Sequence, residues 1–65
     1  DGYDKIRLII KKSSTLIKKR GKLFLELGIN QTKETLKILN LHGFYKTKVI
    51  KDLASKNRCI ISTKI

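Results

Sequence analysis

Gly21 and Gly28 bracket a six-residue stretch, Lys22-Leu23-Phe24-Leu25-Glu26-Leu27, and this stretch limits what the chain can become. It is too short for a self-supporting helix and too apolar for a loop. A short apolar run after a glycine reads as a strand covered on both faces, the kind found inside a parallel sheet. Such a strand needs partner strands and covering helices, and the flanking segments must supply them.

Upstream, Asp1 to Arg20 reads as a helix. Ile6, Ile9, Ile10, Ser13, Leu16 and Ile17 follow the i, i+3, i+4, i+7 rhythm, and Arg7, Lys11, Lys12, Lys18 and Lys19 mostly fall on the other faces. Asp1 and Asp4 suit the positive end of the helix dipole, and Lys18-Lys19-Arg20 the negative end. Ile6 to Ile10 alone would pass for a strand, and the flanking charge order selects helix. Gly21 offers a left-handed stop. Downstream, Gly28-Ile29-Asn30 is a turn, and Asn30 can cap a helix from Gln31 to about His42. Its inward face would carry Thr35, Ile38, Leu39 and His42 or Leu41, and Gly43 ends it. Phe44 and Tyr45 lead into a strand at Thr47–Lys51 with Val49 as inward anchor. Asp52 to Asn57 is a polar connection that an Asp52–Arg58 ion pair would close. Arg58 to Lys64 is a β-branched closing strand.

The expected fold class is therefore α/β, in the order α-β-α-β-β. A strand–helix–strand unit calls for a right-handed parallel crossover. The short connection between the last two strands makes them antiparallel. The expectation is a mostly parallel sheet with the last strand antiparallel near its edge.

Composition narrows the function classes. The 65 residues make one domain at most, residues 1–65, and carry 16 Lys+Arg against 5 Asp+Glu, a net charge of +11. The longest apolar runs are three residues, against the roughly 20 of a membrane span. Cys59 has no partner, and one Cys, one His and scattered carboxylates argue against a metal site built from this chain. A chain of this size buries only about 60% of its unfolded surface. Marginal stability is expected, with help from a partner or from further sequence. Asp1-Gly2 fits the start of an excised piece, and a lone thiol without a targeting segment fits a reducing, cytoplasmic setting.

The motifs taken together carry a resemblance. Asp1-Gly2-Tyr3 opens a helix. Gly21-Lys22-Leu23-Phe24-Leu25-Glu26-Leu27-Gly28 follows, with Gln31 three residues on. Gly43-Phe44, Lys51-Asp52-Leu53-Ala54 and Arg58 complete the run. This resembles the C-terminal part of the HemK/PrmC family, the glutamine methyltransferases that modify peptide-chain release factors. Ser55-Lys56 departs from the family pattern where many members place glycine, and Thr32-Lys33 where others carry Gly-Glu. The resemblance implies the C-terminal part of a Rossmann-like class I methyltransferase fold that binds S-adenosylmethionine, with its last strand antiparallel between its neighbours. It also implies a missing half. The chain has no proline and no G-x-G pattern, so neither the family's cofactor loop nor its Asn-Pro-Pro-Tyr motif is here. Backbone amides approach such a cofactor closely only where glycine allows it. By that reading residues 1–65 form a partial domain that scaffolds a pocket, with no catalytic, cofactor-binding or metal residue of its own. The partner would be a release factor.

Four residues near the end of the first strand are weak candidates for the substrate side: Glu26, Gly28, Asn30 and Gln31. Ligands of open α/β sheets bind at that edge. Each also has a plainer reading. Glu26 would pair with a cation or an amide, since a buried carboxylate is costly alone. Gln31 would simply start a helix. His42 and Cys59 are read as structural. The charge has two readings as well: solvated helix faces, or a basic face on an RNA-bearing partner. The alternative function is accordingly a small basic nucleic-acid-binding, ribosome-associated module. Finally, the Lys22–Leu27 strand would expose an apolar edge through which the chain could self-associate.

Overall fold

The computed structural model describes residues 2–28 and 30–65. Its elements are α1 (Asp4–Leu16), β1 (Lys22–Glu26), α2 (Thr32–Leu41), β2 (Phe44–Lys51) and β3 (Asn57–Lys64). The parts assigned to Asp1 at the helix start and to Ile29 in the turn lie outside the described residues.

The three strands form one sheet in the order β1-β3-β2, and β3 pairs antiparallel with both neighbours. β1 and β2 therefore point the same way, yet no two strands among the described residues pair in parallel. The expected parallel sheet with a reversed strand near its edge does not describe this trio, because β3 is central. A turn over residues 52–56 sends β3 back along β2, and its other side takes up β1. Hydrogen bonds mark the two sides. The Leu27 N–H donates to the Arg58 carbonyl at 2.6 Å and the Lys64 N–H to that of Gly21 at 2.8 Å, while the Ile65 N–H donates to Gly43 at 2.9 Å. Antiparallel pairing alternates, so the even-numbered residues of β3 bond to β1 and the odd-numbered ones face β2.

Both helices supply the same core. Ile10 of α1, Ile38 and Leu39 of α2, Leu27, Phe44 and Ile60 are buried together, with Leu23 and Leu25 packed against them. Leu25 lies opposite Ile60 and Leu23 opposite Ser62, which places these side chains on the helix side. The other set of β1 residues pairs with Thr63, Ile61 and Cys59 on the opposite face, where Phe24 is 56% exposed. The covering expected on both faces of β1 is thus present on one, because no described element packs on the second.

Several local expectations change for identifiable reasons. α1 ends at Leu16, not Arg20, since Ile17 is extended (φ −86°, ψ 127°). Its apolar rhythm overreaches: Ile10 is fully buried but Leu16 is 80% exposed. The left-handed residue before β1 is Arg20 (φ 71°), whose N–H donates to the Lys64 carbonyl at 2.7 Å. Gly21 is needed for space instead, because a Cβ there would lie 2.5 Å from Ile17 Cγ2. Gly43 does end α2 in the left-handed region, at φ 84°. β2 starts at Phe44, ahead of Thr47, across an irregular register between Tyr45 and Lys48 with Lys46 at φ 52°. There the buried Ser62 hydroxyl donates to the Tyr45 carbonyl at 3.2 Å and takes the Thr47 hydroxyl at 2.7 Å. Phe44, wholly buried, is the inward anchor of β2; Val49 lies opposite Ile60 but is partly exposed.

Candidate basic cleft at the strand ends

The register brings four elements to one edge of the sheet. β1 and β2 both end there, α2 begins there, and β3 starts there after the residue 52–56 turn. Between them lies an open cavity of about 570 Å³. Four cations line it: Lys33 in the first turn of α2, Lys51 at the end of β2, Lys56 in the turn and Arg58 on β3. Among the described residues Asn30, Thr32, Ser55 and Asn57 complete the wall, and no carboxylate does.

Two hydrogen-bonded devices hold this edge. Asn57 Nδ2 donates to Thr32 Oγ1 at 2.8 Å and ties the start of β3 to the start of α2. The Asp52 carboxylate organises the turn by accepting the Ala54 N–H at 2.9 Å, the Lys56 N–H at 3.0 Å and Arg58 Nε at 2.7 Å. The ion pair expected between Asp52 and Arg58 is present. The Lys56 amide first, then the Arg58 side chain, hold the Asp52 carboxyl below its ordinary value of 3.8. A depressed carboxyl stabilises the folded turn above its unfolded pKa, and that contribution is lost as pH falls through the lower folded value. In an acid titration followed by NMR, the Lys56 amide and Arg58 Nε–H are therefore expected to shift below pH 3.8, together. In Asp52→Asn both should be insensitive to pH there. A Lys56 amide that titrates at or above the ordinary aspartate value would contradict this geometry.

Of the four residues singled out from the sequence, the cleft contains Asn30 alone. Asn30 does not cap α2. It adopts φ 61°, a left-handed conformation that asparagine tolerates, and its carbonyl accepts the Tyr3 hydroxyl at 3.4 Å. Gln31 occupies the cap position, and its Oε1 accepts the Gly28 N–H at 2.7 Å, so its side chain is turned back onto the loop. α2 has no side-chain cap as a result. Gly28 allows this approach, since a Cβ would sit 2.8 Å from Gln31 Oε1. Glu26 is exposed on the open face opposite Cys59, away from the cleft, so no burial has to be compensated. Lys33 and Lys56 carry no motif and lie far apart in sequence; they meet because α2 begins at the strand ends where the β2–β3 turn lies.

This arrangement can hold an anion. No three His, Cys, Asp or Glu side chains converge on a metal position among the described residues, and no described helix is long and apolar enough to cross a membrane.

Comparison with known proteins adds one relationship. No family model matches the chain, and no solved structure does. Similar to it are the bifunctional methyltransferase of Rickettsia prowazekii, 33% identical over 60 residues, and that of Rickettsia typhi, 32% identical over 60 residues. Each match covers 92% of this chain and 12% of the relative. The chain is thus related in sequence to methyltransferases, and it spans about an eighth of their length.

Proposed function

We propose that this chain is the C-terminal piece of a Rossmann-like class I methyltransferase domain, in a cytoplasmic protein that methylates the glutamine side-chain amide of peptide-chain release factors. The observation that carries this reading is the similarity over 60 residues to proteins named methyltransferases. The β1-β3-β2 order supports it, with two strands pointing one way around a reversed third, as the resemblance to glutamine methyltransferases implies for that end of the fold. The run from Gly21 to Arg58 supports the choice of a release factor as substrate. S-adenosylmethionine would be held by residues outside this chain, and β1, Gly28 and Gln31 would brace the pocket from behind. The planar glutamine nitrogen is a weak nucleophile and reacts only when held in line with the methyl group. That positioning needs the whole domain.

The test uses the complete protein that contains this chain, a labelled methyl donor and a release factor carrying its Gly-Gly-Gln motif. Label is expected on that glutamine, and none when the glutamine is replaced by alanine. The 65-residue chain alone should transfer nothing, and in sedimentation it should populate species larger than a monomer through the open edge of β1. Label placed on another acceptor would overturn the release-factor assignment. No transfer to any acceptor would overturn methyl transfer itself, and a strict monomer would remove the edge contact.

A further inference from the structure

We propose that the basic cleft binds a ligand carrying adjacent phosphate groups, independently of any methyl transfer. Among the described residues the lining is one-signed: Lys33, Lys51, Lys56 and Arg58 with no carboxylate in the wall. Self-repulsion among four cations is unfavourable in an empty cleft and is relieved by an anion. Asp52, at the start of the turn that carries Lys56, already accepts three hydrogen bonds and is spent on the turn. Its grip on Arg58 uses Nε alone, which leaves the two terminal nitrogens of the guanidinium for a phosphate.

The number of cations, four, argues for more than one phosphate, and the space admits it. About 570 Å³ falls in the range of small-molecule sites, and a single water takes about 30 Å³. The cations come from three parts of the fold, α2, the end of β2, and the turn with β3, so the cluster is set by the fold and not by one stretch of sequence. Asn30, Thr32, Ser55 and Asn57 add short polar groups between them. Among the described residues the wall has no aromatic ring on which a base could stack, so recognition falls on the phosphates.

The test is calorimetric titration of the 65-residue chain with tripolyphosphate and with a twelve-nucleotide single-stranded RNA, each from 50 to 300 mM salt. Four phosphate contacts predict a log–log salt slope of about −3 for the RNA. Replacing Lys33 and Lys56 together by glutamine should weaken binding at least tenfold and roughly halve that slope. Replacing Lys11 and Lys12 on α1 removes the same charge away from the cleft and should change affinity less than twofold. Arg58→Lys should bind more weakly than wild type and more tightly than Arg58→Gln. Amide shifts on binding should centre on Thr32, Lys33, Lys56 and Asn57, a readout that needs no variant to fold. Tighter binding of the RNA by tenfold or more assigns a nucleic-acid backbone, and the reverse assigns a free polyphosphate. The proposal is overturned if neither probe binds at 50 mM salt, if the Lys11/Lys12 variant loses as much as the Lys33/Lys56 variant, or if a polyglutamate peptide binds as tightly as either probe.

Discussion

Phe44→Ala is expected to remove about 3–5 kcal/mol of folding free energy, the largest loss of any single truncation in the core. Phe44 is wholly buried and shares the core with Ile10, Ile38, Leu39 and Ile60. It stands directly after Gly43, where α2 turns into β2, so its ring joins the helix layer to the sheet. Lys64 Nζ lies 5.3 Å from the ring centroid and also donates to the His42 carbonyl at 3.1 Å. Truncating a buried phenylalanine costs about 3–5 kcal/mol through lost transfer energy and the cavity left behind. At about 0.05–0.15 kcal/mol per residue, a chain of this length has roughly 3–10 kcal/mol in total. Urea unfolding of wild type and variant would measure the loss. Phe44→Leu fills most of the volume and should retain a cooperative transition. A drop of less than about 1 kcal/mol for the alanine variant would show that Phe44 does not hold the layers together.

The second large effect is expected at the centre of the sheet. Ile60→Pro should abolish the fold, whereas Ile60→Val should cost only about 0.5–1.5 kcal/mol. Ile60 is fully buried, and of the described strands β3 is the one bonded on both sides. As an even-numbered residue of β3 it lies opposite Leu25, with its peptide groups directed at β1. Proline has no N–H, so the Leu25 carbonyl would lose its donor inside the structure. The substitution also removes the side chain that joins Leu23 and Leu25 to the helices. Far-UV circular dichroism and amide exchange would read the result. A folded proline variant with protected β1 amides would mean that β1 is held by its side chains and not by the ladder.

Much of this architecture is legible in the residue order. The sequence of elements follows from local signals: period 3.6 in residues 4–16 and 32–41, short apolar or β-branched runs elsewhere, and a glycine at the end of α2. The Asp52–Arg58 pair is legible too, because only five residues lie between the two charges across a short reversal. Boundaries are harder. The apolar rhythm of α1 runs on to Ile17, but Ile17 is extended where the chain turns toward β1, and Gly21 then passes Ile17 where a side chain would not fit. Gln31 beside Gly28 is visible as a helix start; that its amide turns back to Gly28 instead of capping α2 depends on the loop's path.

What the residue order carries unaided is the set of local conformations, because hydrophobic period, glycine and charge order act over a few neighbours. Which strand lies in the middle, which face of the sheet is left open and which lysines meet at the cleft arise only on assembly. Those outcomes depend on contacts between residues far apart in the chain. Lys33 and Lys56 share a cavity because β3 runs back between β1 and β2, and nothing within either residue's own neighbourhood records that return.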